Sequence, residues 1–257
     1  MSPQASIIHI VNVVGLDGVH PSYLHVAQPI TLASMAQARA MALNRLHIDL
    51  IALRHPKDHV PCPEAFIDLP VLERSCRDVF PQLSESPDSR ELPLLADILN
   101  ALKTQCRDHD LCIYTNVDIG LQPSFYLEVM EIATTQSLDA FCINKRIKPK
   151  VAWGIELTEK HLPLIYGMEG TPGGGTDCFV FRPSVLALID VGQVFLGYPP
   201  IGRVLRLQLQ AKAQRFAWFK DRHLTFHLGD DQIWNQPNHP HYLFNLQAEQ
   251  ELQSELA

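Results

Sequence analysis

Asn116 and Asp118 stand one residue apart, just beyond the apolar run Leu111–Tyr114. A short continuous apolar run reads as a buried strand. In an open α/β sheet, ligands gather beyond the carboxyl ends of the strands. Residues two apart on extended backbone point the same way. The pair can therefore offer two oxygens to one hard cation, Mg2+ or Mn2+. Both residue types also favour plain turns. Asp177 forms a second candidate. It stands between the glycine-rich stretch Gly173-Gly174-Gly175 and the apolar run Cys178–Phe181. From there it can face a cleft as a proton acceptor, or simply cap the start of a strand. The glycines allow close backbone approach to a ligand. No Gly-Lys-Ser/Thr follows them, and they precede a strand, so neither a Walker loop nor a dinucleotide fingerprint is present. His223, His227, Asp230 and Asp231 form a third group of metal-ligating types. If His223–His227 is extended, its two imidazoles share a face.

These residues need a scaffold, and the chain supplies an alternating one. Residues 7–14 and 48–53 are β-branched, apolar strands. A helix capped by Thr31 or Ser34 and running to about Leu46 separates them. A short strand at 65–69, a helix over 94–106, the strand at 111–115, a helix over 125–134 and a strand over 140–147 follow. Such alternation implies a mostly parallel sheet covered on both faces. Beyond residue 150 a glycine-rich loop leads into a strand at 178–181 and a short helix after Pro183. A helix is expected over Arg203–Trp218, then an extended segment at 223–227. The end after Asn245 is polar.

The charge balance, 21 basic against 28 acidic residues for a net −7, argues against nonspecific binding to nucleic acid or an anionic membrane. Lys145, Arg146, Lys148 and Lys150 form a dense basic cluster, read as a solvated loop ahead of a phosphate-binding role. Six scattered cysteines lack zinc or redox spacing, so reduced core residues in a cytoplasmic protein are expected. No apolar run approaches the ~20 residues of a membrane span.

Taken together, these segments resemble the GT-A class of nucleotide-diphospho-sugar glycosyltransferases, over about residues 5 to 235. Tyr114–Ile119 is similar to the strand-end motif that holds a divalent cation and the donor diphosphate. Gly175–Arg182 resembles the later segment lining the acceptor side. His223–His227 resembles the late histidine segment that completes the metal shell. The resemblance implies a Rossmann-like α/β fold with a mostly parallel mixed sheet flanked by helices. It implies one domain over 5–245, with a nucleotide-binding half (5–150), an acceptor-side half (151–245) and a polar tail (246–257). It places the first strand and Asn12 beneath the nucleotide base, with Asn116, Asp118, Gly174 and Gly175 also at the donor. Asn116, Asp118, His223 and His227 would hold Mn2+ or Mg2+. Asp177 is the first candidate for catalytic base, with Asp230 or Asp231 in reserve. The implied reaction is transfer of a sugar from a nucleotide-sugar donor to a hydroxyl acceptor; donor base, sugar, acceptor and oligomeric state stay open. In one respect the motif departs from the family, where aspartate occupies both ends and here the first is Asn116. Two alternatives follow: an inactive nucleotide-sugar-binding or scaffold protein on the same fold, and a metal-dependent phosphohydrolase.

Overall fold

The structure is a computed structural model and describes residues 4–16, 23–69, 72–86, 88, 90–106, 109–152, 154–229 and 238–256. Its strands are β1 (Ser6–Asn12), β2 (His47–Leu53), β3 (Ile67–Asp68), β4 (Leu111–Thr115), β5 (Gly120–Leu121), β6 (Ala140–Lys148), β7 (Val151–Ala152), β8 (Ile155–Glu156), β9 (Thr171–Phe181), β10 (Phe216–Phe219) and β11 (Thr225–Leu228). The helices are α1 (Leu24–Ala42), α2 (Cys76–Val79), α3 (Leu95–Gln105), α4 (Phe125–Thr135), α5 (Leu162–Gly167), α6 (Pro183–Leu186), α7 (Ile201–Lys212) and α8 (Pro240–Leu256). The main sheet runs β3-β2-β1-β4-β9-β6-β11-β5, with β10 also paired to β6. β3, β2, β1 and β4 are mutually parallel. β9 lies antiparallel between β4 and β6.

The central strands are apolar on both faces because helices cover both sides. In β1, Ile7 and Val11 point to the core shared with α1 and α4, whereas Ile8 and Ile10 point to the core shared with α3, α6, α7 and α8. β4 repeats the alternation, with Leu111 and Ile113 on the first side and Cys112 and Tyr114 on the second. α3 meets the second core with Leu95, Ile98, Leu99 and Leu102, spaced as one helical face. None of the six cysteines is in a disulfide, and all but Cys62 are buried. Among the described residues no helix is long and apolar enough to cross a membrane.

Several elements differ from the sequence reading. The first helix begins at Leu24, seven residues before Thr31, and continues through Pro29. Thr31 and Ser34 are buried inside it, and the Ser34 hydroxyl donates to the Thr31 carbonyl at 2.7 Å instead of capping an end. A proline within a helix removes one backbone donor; here the packing of Leu24, Ala27 and Ile30 prevails. The glycine-rich stretch is the first half of strand β9, paired to β6 through Thr171, Pro172 and Thr176. The helix expected over Arg203–Trp218 stops at Lys212, and Trp218 lies in β10. The basic cluster is no solvated loop either. Arg146 and Lys148 are buried. Arg146 donates to the Glu169 and Gly170 carbonyls and pairs with Asp221. The Lys148 ammonium donates to the Ile165 carbonyl at 2.7 Å. The polar C-terminal stretch forms most of α8, whose Ala248 and Leu252 pack into the second core.

Candidate functional site

Because β1 and β4 run parallel in register, with Ile7 opposite Leu111 and Ile10 opposite Tyr114, their carboxyl ends open on one side of the sheet. β9 runs the other way, so its first half arrives at the same edge. A cavity of about 520 Å³ lies there. Asn12, Asn116, Asp118, Gly174, Gly175, Asp177 and His227 all line it. The structure thus brings together seven residues that are more than two hundred positions apart at their extremes.

Asp118 and His227 meet on its floor. His227 Nε2 lies 3.2 Å from Asp118 Oδ2, and their side chains keep only 12% and 16% of their exposure. His227 Nδ1 lies 2.6 Å from the Gly229 carbonyl, which can only accept, so that nitrogen carries the proton. The Tyr23 hydroxyl donates to Asp118 Oδ2 at 3.3 Å. Asp118 Oδ1 and Asn12 Oδ1 are buried with no hydrogen-bond partner among the described residues. Burial pushes the Asp118 carboxyl up, but the hydrogen bond and charge of His227, with Lys145 nearby, outweigh it and leave it below the usual range. Burial likewise lowers His227, and Asp118 more than reverses that, so the imidazole titrates above its ordinary value. Burial and the Asp118 charge together raise the Tyr23 hydroxyl, which stays protonated as a donor.

Asn116 and Asp177 meet on the cavity wall. The Asn116 amide nitrogen donates to Asp177 Oδ1 at 3.2 Å, and its oxygen accepts from the Tyr114 hydroxyl at 3.0 Å. Asp177 Oδ2 pairs with the Lys145 ammonium at 2.7 Å. The strand register slips on both sides of Asn144, the irregularity from which Lys145 enters the cavity. Asn144 holds that slip in place. Its oxygen accepts from the Trp218 indole at 2.7 Å, and its nitrogen donates to the Gly173 carbonyl at 3.2 Å. A Cβ on Gly175 would stand 2.9 Å from Asp177 Oδ2 and 3.4 Å from Lys145 Nζ, so the bare glycine leaves room for the ion pair. A Cβ on Gly202 would come within 2.2 Å of the Thr176 carbonyl, and this glycine lets the start of α7 close against β9.

Not every residue picked from the sequence arrives. His223 sits on an exposed turn before β11, so it does not share a strand face with His227. Asp230 and Asp231 lie outside the described residues. Conversely, Tyr23, Lys145, Arg206 and Trp218 line the cavity without having been singled out for it. Arg206 stacks on the Trp218 ring at 4.3 Å. Lys145 was concealed in a run of basic residues, and Tyr23 precedes a helix whose start Pro29 obscured.

The sheet order, the antiparallel strand within a mostly parallel sheet and the cavity at the strand ends define a GT-A-like fold. The glucosyl-3-phosphoglycerate synthase of M. tuberculosis superposes on 98% of this chain and 81% of its own, with a TM-score of 0.51 and 13% identity. S. aureus TarS (residues 1–349) matches over 87% of this chain at a TM-score of 0.49 and 11% identity; the chain spans 60% of that fragment. A putative glucose-1-phosphate thymidylyltransferase from Bacillus anthracis matches over 96% of this chain and 94% of its own, at 0.44 and 10% identity. At such identities the likeness is one of fold. No protein-family model matches the chain, and no curated protein matches it in sequence.

Proposed function

We propose that this protein transfers a glycosyl group from a nucleoside-diphosphate sugar to a hydroxyl acceptor, with Mn2+ or Mg2+ held by Asp118 and His227. One observation carries the reading. With Nδ1–H committed to the Gly229 carbonyl, a neutral His227 turns a lone pair toward a carboxylate, which also only accepts. Two acceptors 3.2 Å apart need a positive charge between them, either a proton or a bound cation. Asp118 Oδ1 beside them, buried without a partner among the described residues, is a further donor atom of the hard type Mn2+ and Mg2+ take. The Gly229 carbonyl is the kind of outer partner that fixes a ligating imidazole.

When bound, the cation supplies Lewis-acid stabilisation of the charge on the leaving diphosphate. The chain does the rest. Asp118 and His227 would hold the cation. Arg206 and Lys145 bring positive charge to the wall where a diphosphate would lie. Asn12, whose buried side-chain oxygen has no partner among the described residues, offers an acceptor at the end of β1. Asp177 is held by Asn116 and Lys145 where it can take a proton from an acceptor hydroxyl. This gives the departure at Asn116 a chemical reason: its amide donates to Asp177, whereas a second carboxylate 3.2 Å away would repel it.

The test is release of nucleoside diphosphate from uridine and guanosine diphosphate sugars, with and without Mn2+, by the wild type and Asp118→Ala. Cation-dependent release should fall at least about 100-fold in the variant, equivalent to ~2.7 kcal/mol, with its unfolding curve little changed. Donor binding without turnover in the wild type would favour the binding-protein reading. Phosphate release from simple phosphoesters without a sugar donor would favour the phosphohydrolase.

A further inference from the structure

The opposite end of the sheet carries a second cluster of ligating side chains. His47 and Asp49 stand two apart at the start of β2 and point the same way. His109 joins them from the turn before β4. Asp49 Oδ2 lies 3.3 Å from His47 Nε2 and 3.0 Å from His109 Nε2. The two rings stack, with centroids 6.1 Å apart and planes 29° from parallel. One donor atom from each residue lies within 4.8 Å of the other two. We propose that His47, Asp49 and His109 bind a borderline divalent cation, Zn2+ by preference, with the remaining position open to water.

The geometry suits that ion. Bonds of about 2.0–2.2 Å in a tetrahedral site set neighbouring donors roughly 3.3–3.5 Å apart, and a two-imidazole, one-carboxylate set is of the type zinc takes. The backbone holds the ligands in place. The His47 N–H donates to the Ala5 carbonyl at 3.0 Å, and the Asp110 N–H to the Ser6 carbonyl at 3.0 Å. The Asp110 carboxylate accepts in turn from the Ser6 N–H at 2.8 Å and its hydroxyl at 3.2 Å. Both ligand-bearing segments are thereby tied to the start of β1. Without a cation, His109 Nε2–H donates to Asp49 Oδ2 at 3.0 Å; its Nδ1, buried without a partner among the described residues, can carry the proton instead and so free an Nε2 lone pair for a cation. His47 is well exposed, leaving a path from solvent. The other such cluster among the described residues, Asp88, His239 and His241, differs in one respect. There the carboxylate already accepts from the Arg90 guanidinium at 2.6–3.1 Å and the Tyr198 hydroxyl at 2.8 Å, so an ion would have to displace an arginine.

The test uses the chelator-stripped full chain carrying Asp118→Ala, which removes the cavity as a competing site. Co2+ is titrated while tetrahedral visible bands are followed; Zn2+ then displaces it, and the unfolding temperature is read with and without Zn2+. The expected result is one saturable equivalent and a Zn2+-dependent rise in unfolding temperature. His47→Ala, at an exposed position, should weaken binding at least tenfold and abolish that rise, as should His109→Gln where it folds. His239→Ala should change neither. Absence of saturable binding, or binding unaltered by His47→Ala, would overturn the site.

Discussion

In β1, His9 sits between two hydroxyl groups; on the cavity floor, His227 sits between a carboxylate and a carbonyl. His9 lies 2.8 Å from the Tyr126 hydroxyl and 2.9 Å from that of Thr115, and is fully buried. A hydroxyl can donate or accept, so one hydroxyl donates to the ring and the other accepts from it, and the neutral imidazole is satisfied in either tautomer. Burial lowers its pKa to about 3. The partners of His227 only accept, and its pKa rises. The same side chain is thus a closed structural unit in one region and an unfinished one in the other. What distinguishes a site from a core is whether the partners complete the hydrogen bonding without a ligand.

The strongest way to break that comparison is His9→Ala. It opens a cavity and strands two buried hydroxyls, which should cost about 3–4 kcal/mol in urea unfolding. It should also flatten the acid limb of stability. Between about pH 3 and 6.5 the unfolded wild type takes up a proton that native His9 refuses, so stability is full above pH 6.5 and declines as pH falls through that interval. An acid limb equally steep in the variant would mean that other groups cause it. His227→Ala should weigh the other way: about 10–100-fold less cation-dependent donor turnover, with a smaller stability cost of about 1–3 kcal/mol from the buried Asp118 carboxylate that loses its partner. Its linkage has the opposite sign. The His227–Asp118 pair contributes fully below pH 6.5, down to where Asp118 protonates, and is lost as pH rises through the elevated His227 value. A stability profile in the variant that still declined over that alkaline interval would detach His227 from it. The smallest effect should come from Gly175→Ala. Its Cβ would press on Asp177 Oδ2 and Lys145 Nζ, both tips of flexible side chains, so a roughly two- to fivefold drop in turnover is expected. Gly174→Ala, whose Cβ meets nothing within 4 Å, should match the wild type, and equal behaviour of the two variants would remove the steric argument.

Elements whose evidence is local could be read from the sequence. β1, β2, β4 and β6 are runs of apolar residues bounded by polar ones, and the polar residues Asn12, Asn116 and Asp118 at their ends line the cavity. Tertiary packing overrode local propensity elsewhere. Pro29 disguised the first two turns of α1, and three glycines disguised half of β9, whose pairing comes from β6. Lys145 was hidden because a basic run has no periodicity, and only the slip beside Asn144 separates it from Arg146 and Lys148 in role. His223 shows the converse error. Spacing of four suggested a shared face, but the strand starts at Thr225.

The placement of β9 also bears on how the chain folds during synthesis. β4 and β6 are not neighbours in the finished sheet; the strand between them is made after both. At about 5–20 residues per second, several seconds separate the emergence of β4 from that of its partner. Over that time two apolar strands, including Ile113, Tyr114, Phe141 and Ile143, present unpaired edges that could join each other in a wrong register. Non-local pairing of this kind makes folding slow. A nascent chain stalled before β9 is made would therefore keep both edges open, and should aggregate more readily than one in which β9 has been made.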